Sequence, residues 1–304
     1  MAASPRPCPR EYGEEPGPNS HVHTFAKAST FAKATADKTA RKPPMTRVLS
    51  GVVLGVGALA LIWFLDSTAL LGVALALAAL AFHEYERIAA RIGARVPYWV
   101  ALIATLFACA MVPFQWVDIE SVLAAALLLI ALNVLASDRA GQPLLADTAA
   151  AVLAPVYIGL PLGSLVGVHA IAGKEAVLLL IATVAVSDTA QFYTGRTFGR
   201  TPLAPTRSPK KTREGAIGGF IVAPIFLAVA GAYWLPSYPW WWHVSLGFNI
   251  VVAGIIGDLF ESMLKRAADM KDSGDLIPGH GGVLDRIDAL LFAAPVFYFF
   301  LRTV

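Results

Sequence analysis

From Val48 to the end of the chain, long apolar runs alternate with short polar breaks. The runs fall at about 48 to 65, 68 to 83, 98 to 113, 119 to 136, 148 to 171, 175 to 195, 216 to 235, 243 to 260 and 287 to 303. Each approaches the roughly 20 residues that an α-helix needs to cross hydrocarbon. In lipid a backbone must satisfy its own hydrogen bonds, so runs of this length predict helices and not a barrel. The expected fold is all-α, a polytopic membrane helical bundle with about nine transmembrane helices. One stretch interrupts the pattern sharply. Between Ser262 and Asp288, Lys265, Arg266, Lys271 and Arg286 are interspersed with Asp269, Asp272, Asp275, Asp285 and Asp288, with apolar runs on both sides. Such charges belong at a membrane surface or around a polar cavity, because hydrocarbon is a costly place for them.

The first 44 residues follow no such pattern. They are polar, rich in Pro, Ala, Thr and Lys, and carry a near-repeat at Thr24 to Ala28 and Thr30 to Ala34. The reading is a disordered tail over 1–44 and an integral membrane domain over 45–304, with the chemistry in 182–288. The tail lacks the apolar core of a secretory signal, and Glu11, Glu14 and Glu15 argue against a mitochondrial presequence. Met45 is as natural a start as Met1.

Composition narrows the class. With 57% hydrophobic and 15% charged residues and a mean hydropathy of +0.62, the chain is too apolar for an ordinary soluble domain. Cys8 and Cys109 supply no disulfide framework. The net charge of +3 is small, but its distribution orients the chain. If the N-terminus is cytoplasmic, the inner loops carry Arg87, Arg91, Arg95, Arg139, Arg196, Arg200, Arg207, Lys210, Lys211, Arg213, Lys265, Arg266, Lys271 and Arg286. The outer side then receives Lys174 and Arg302. That asymmetry predicts a cytoplasmic N-terminus, cytoplasmic motif loops and an outside C-terminus. The outer loop from Pro236 to His243, with three Trp and no Lys or Arg, reads as an interfacial aromatic anchor. A bacterial inner membrane is the expected location, since no eukaryotic targeting signal is convincing.

Asp258, Glu261 and Ser262 close one apolar run, with Asp258 and Glu261 sharing a helix face, and Asp285 and Asp288 open the next. Two helix ends carrying carboxylates suit a hard divalent cation such as Mg2+, which keeps waters and substrate phosphates in its shell. Nearby Lys and Arg side chains suit phosphate oxygens. A loop of alternating charges is by itself more often a solvated surface. Two features weigh against that here: the glycine-rich turn at 279–282, where backbone N–H groups can approach an anion, and the basic loop 208–215 that follows a run containing Asp188. An ionisable residue inside an apolar run is a functional candidate.

These residues carry a resemblance. SMLKR from Ser262, Lys271 with Asp272, and PGHGGVLDRID from Pro278 to Asp288 resemble the signature of the phosphatidate cytidylyltransferase (CDP-diacylglycerol synthase) family. DTAQFYTGR from Asp188 to Arg196 and SPKKTREG from Ser208 to Gly215 resemble its other two motifs. The match covers the chain from about Ala182, with Glu84 to Glu86 adding to it upstream. Gln191, Phe192 and Arg213 depart from the family's usual residues. The resemblance implies Mg2+-dependent transfer of CMP from CTP to phosphatidic acid, giving CDP-diacylglycerol and pyrophosphate. It assigns Asp258 and Asp285 to the metal with Asp288 assisting, and Lys265, Arg266, Asp285 and Arg286 to catalysis. Asp188, Ser208, Lys210, Lys211, Ser262, Lys271, Asp272, His280, Gly281 and Gly282 fall to substrate binding, while Glu261, Asp269 and Asp275 read as solvated ion partners. The expected partners are CTP, phosphatidic acid and membrane lipid, with no nucleic acid; a second cation such as K+ and a homodimer are left open. The rival readings are an enzyme acting on another lipid phosphate, a CTP-dependent polyprenol kinase, a CDP-alcohol phosphotransferase, whose DG-x-x-A-R pattern is missing, and a transporter built around Asp188.

Overall fold

The computed structural model describes residues 55–57, 59–114, 118–136, 141–205, 208–274 and 281–303. These residues fold into helices joined by short turns. After a helical stretch at Gly55–Phe64, α1 spans Ser67–Ile92. It starts where Asp66 accepts a bond from the Ala69 N–H (3.1 Å), and its buried face repeats every three or four residues through Ala74, Ala78, Ala81, Tyr85 and Ile88. Then come α2 (Tyr98–Phe114), α3 (Ile119–Leu135) and α4 (Gln142–Ala154), the last running through a π turn at Pro155–Gly159 into α5 (Leu160–Phe198). Gly173 breaks α5 with φ 78° and ψ −178°, a conformation that costs glycine little and other residues much. The break coincides with the polar gap predicted between 171 and 175. A two-stranded antiparallel ribbon follows, β1 (Pro202–Ala204) paired with β2 (Ser208–Thr212), and then α6 (Arg213–Trp234), α7 (Trp240–Ala267) and α8 (Leu284–Arg302).

Four helical runs among the described residues are long and apolar enough to cross a membrane: Ser67–Ile92, Leu144–Phe198, Arg213–Trp234 and Trp240–Ala267. Gly55–Phe64, Tyr98–Phe114 and Ile119–Leu135 are shorter apolar helices. The chain is an all-α membrane protein. Part of the first expected run, 48 to 65, and the whole of the expected tail lie outside the described residues.

Two expectations are corrected. The stretch at 208–215, expected as a basic loop, instead forms strand β2 and the start of α6. Thr212 caps α6 by accepting from the Gly215 N–H (3.1 Å), and Glu214 accepts from the Arg200 and Thr201 N–H groups (3.1 and 3.2 Å), which closes the ribbon. The aromatic loop at 236–243 is also only partly an anchor. Trp240 and Trp241 are 72% and 57% exposed, but Trp242 and His243 are buried. Trp242 stacks on Tyr238 at 4.3 Å between ring centroids and meets Phe297 edge-on. The helix begins three residues before the expected start, so its first turn rotates Trp242 and His243 into the core.

Close helix crossings set the geometry below. A Cβ on Gly257 of α7 would lie 2.4 Å from the Asp288 carbonyl oxygen of α8, so only glycine permits this approach. The crossing brings the carboxylates of the two helix ends into each other's field.

Candidate active site

The ribbon, the C-terminal limb of α5, the start of α6 and the end of α7 enclose a cavity of about 520 Å3. From α5 it is lined by Asp188, Gln191, Phe192, Gly195 and Arg196. From the ribbon it receives Leu203, Ser208, Lys210, Lys211 and Thr212, from α6 Gly215 and Ala216, and from α7 Asp258. The structure therefore brings together Asp188, Ser208, Lys210, Lys211 and Asp258, which the sequence spreads over some seventy positions. Lys211 forms an ion pair with Asp258, the two side chains 23% and 36% exposed. Ser262 Oγ donates to Asp258 Oδ1 at 3.4 Å, a weak bond. These are wet, replaceable contacts of the kind an incoming anion can exchange.

The other expected residues form a second, drier cluster. Lys265 Nζ donates to Glu261 Oε2 (2.9 Å) and to Asp285 Oδ1 (2.5 Å). Asp285 Oδ2 accepts from the N–H groups of Ser273 and Gly282, each at 2.9 Å, and lies 3.0 Å from Ser273 Oγ. Gly281 adopts φ 82°, and a Cβ there would lie 2.7 Å from Asp285 Oδ2, so the glycine turn wraps this carboxylate directly. Glu261 is a correction: expected in solvent, it is 1% exposed, bound to Lys265, and its Oε1 is buried without a hydrogen-bond partner. Helical spacing places Glu261 beside Asp258, but α7, which runs on to Ala267, points one at the cavity and the other at α8. Asp288 lies between the clusters. Its Oδ1 accepts from the Ala289 N–H (2.7 Å), and its charge interacts with those of Asp188, Asp258 and Glu261.

Arg266, Lys271, Asp272, Arg286 and Asp269 are exposed at the surface of this region, and Arg266 reaches the Met270 carbonyl at 3.4 Å. His280 and Asp275 lie outside the described residues.

The three carboxylates expected around a divalent ion are not equivalent. No group of three His, Cys, Asp or Glu among the described residues is arranged to hold a metal. Asp285 presents both oxygens to protein donors and would join such a set only by exchanging Lys265. Asp258 and Asp288 are the remaining candidates, and Asp258 would join a hard cation by exchanging Lys211. They are oxygen donors whose charges repel each other, with the unpartnered Glu261 Oε1 buried nearby.

The profile of the Cytidylyltransferase family matches residues 45–304. The chain belongs to the cytidylyltransferase family. Among its relatives, a phosphatidate cytidylyltransferase from Helicobacter pylori (strain ATCC 700392 / 26695) is 40% identical over 166 residues, covering 55% of this chain and 61% of the relative. One from Thermotoga maritima is 36% identical over 169 residues, covering 54% of this chain and 63% of the relative. Phosphatidate cytidylyltransferase 4, chloroplastic, from Arabidopsis thaliana is 42% identical over 135 residues, covering 44% and 34%. The chain thus spans about three fifths of the length of the bacterial relatives named here.

Within this cytidylyltransferase fold, the residues that sequence reasoning missed are Ser273 and Glu84. Ser273 is fully buried and touches two carboxylates. Glu84, read only as a supporting likeness, is 2% exposed and sits against the Gly274 and Gly282 backbone. A signal was available for Glu84, because an acid falls beside the apolar stripe of α1 at 81, 85 and 88.

Proposed function

We propose that the protein is a Mg2+-dependent CTP:phosphatidate cytidylyltransferase, which transfers CMP from CTP to phosphatidic acid and releases pyrophosphate. The observation that carries this reading is the cavity itself, a space of about 520 Å3 lined by Lys210 and Lys211 of the ribbon together with Asp188 and Asp258 of apolar helices. Its size suits a nucleotide, and its position suits a substrate whose tail stays in lipid.

The chemistry needs no Ser or Cys nucleophile. A phosphate oxygen of phosphatidate attacks the α-phosphorus of CTP, forming a new P–O–P linkage. The bond from that phosphorus to the α,β-bridging oxygen breaks, and its electron pair leaves with pyrophosphate. Catalysis is then positioning and charge neutralisation. Lys210 and Lys211 neutralise the triphosphate, Lys211 exchanging Asp258 for a phosphate oxygen, and Ser208 donates to it. Asp188 orients the charged groups of the cleft. Arg266 and Arg286, exposed at the neighbouring surface, meet the lipid phosphate, with Ser262, Lys271, Asp272, His280, Gly281 and Gly282 shaping the nucleotide side. Lys265 holds Asp285 in register with them. Asp258 and Asp288 would hold the divalent cation, which supplies further neutralisation of phosphate charge when bound, with Asp285 entering by exchange. Acyl chains enter between helices. In this reading the chain crosses a bacterial inner membrane nine times, with its N-terminus and cavity cytoplasmic, as the Lys and Arg distribution supports.

The test is lipid-soluble CDP product from labelled CTP and phosphatidate in mixed micelles with purified protein. Product that requires Mg2+ is expected. Conversion of a different lipid phosphate alone would move the reading to another substrate, and absence of nucleotide transfer to any lipid would end it.

A further inference from the structure

Glu84 lies near the end of α1, in a helix that contributes nothing to the cavity. Its buried carboxylate accepts three bonds of 2.9 Å, from the Val283 N–H to Oε1 and from the Leu284 N–H and Ser273 Oγ to Oε2. Val283 and Leu284 stand 199 and 200 residues further along the chain. They are the cap and first residue of α8, whose opening N–H groups have no partner within their own helix, and the cap position supplies no side-chain acceptor. An acid from a distant helix thus performs the capping, with its charge at the positive end of α8.

The third bond links it to chemistry. Ser273 Oγ lies 2.9 Å from Glu84 and 3.0 Å from Asp285 Oδ2, so one hydroxyl proton serves two carboxylates. Gly282, whose N–H holds the same Asp285 oxygen, is threaded past this pair. A Cβ there would lie 2.1 Å from Ser273 Oγ and 2.4 Å from Glu84 Oε2. Glu84 therefore fixes both backbone segments that grip Asp285.

We propose that Glu84 is a positioning residue for Asp285, acting through Ser273 and the first turn of α8 and never touching substrate. The effect on rate rests on the proposed cytidylyltransferase function; the effect on geometry does not.

Glu84→Gln keeps the side-chain shape but turns an NH2 group toward a backbone donor. It is expected to lower kcat for CDP-lipid formation about 10- to 100-fold, as loss of a supporting hydrogen bond behind a reactive group commonly does, with KM for CTP little changed. Ser273→Ala, which leaves both backbone bonds of Glu84 intact, is expected to lower kcat in the same way, and the double variant should be no slower than the slower single one. Should Glu84→Gln not fold, Ser273→Ala carries the kcat expectation alone. A Glu84→Gln protein that loses thermal stability but keeps wild-type kcat per folded molecule overturns the proposal, as do losses that multiply in the double variant. Amide exchange at Ser273 and Gly282 gives a readout independent of activity. Faster exchange there in Glu84→Gln, with α6 unchanged, supports positioning even if the wild-type protein transfers no nucleotide, an outcome that sinks the functional reading instead. Unchanged exchange at both amides overturns positioning.

Discussion

The ribbon cavity and the α7–α8 junction hold the same kinds of side chain in opposite states. In the cavity, Lys211 and Asp258 form a partly exposed ion pair, and Lys210 is exposed. At the junction, the Lys265, Glu261 and Asp285 side chains are 13%, 1% and 9% exposed and bond to one another and to backbone N–H groups. An exposed pair contributes little to stability and is easily exchanged. A buried one strongly destabilises the fold when one partner is removed. The difference teaches that a charged motif at a membrane surface divides its labour. One part stays wet and exchangeable, while the other is locked to hold backbone and carboxylates in register.

The comparison can be broken most forcefully at Lys265. Lys265→Met leaves Glu261 and Asp285 buried without their shared cation, and a loss of about 3–5 kcal/mol is expected, read as a lowered denaturation midpoint in detergent. Wild-type stability would mean that the junction is as exchangeable as the cavity. A smaller effect, about 1–3 kcal/mol, is expected for Gly282→Ala, because its Cβ must displace Ser273 Oγ or the Glu84 carboxylate; a protein that accepts it without cost would show that the turn is not tightly held. The smallest effect concerns the ribbon. Thr212→Ala removes the cap of α6 and should cost about 1 kcal/mol, while the volume of the side chain it removes from the cavity wall is small. A thermal shift as large as that of Lys265→Met would contradict the division into a wet and a locked region.

Much of the cavity was legible in the sequence because its residues sit in local motifs: Asp188 near the end of an apolar run, Lys210 and Lys211 in one loop, Asp258 at a helix end. The break at Gly173 was legible too, as a polar gap between apolar runs. At the junction Lys265, Asp285, Gly281 and Gly282 were legible in the same way, but their tie to α1 was not. Glu84 meets Val283 and Leu284 across most of the chain, and no periodicity reports a contact of that separation. Glu261 was misjudged because helical spacing says which residues share a face, not which neighbour that face meets. The ribbon escaped notice because its strands have three and five residues and no alternation of apolar and polar positions.

The most direct test of the cavity's role is the steady-state rate of CDP-lipid formation by Lys211→Met, measured on protein whose thermal midpoint is determined in the same preparation. Loss of a group that meets developing charge commonly costs about 100- to 1000-fold in kcat. The account predicts a fall of that order with the midpoint unchanged, since the ion pair with Asp258 is partly exposed. A folded Lys211→Met protein that transfers CMP at the wild-type rate would contradict it.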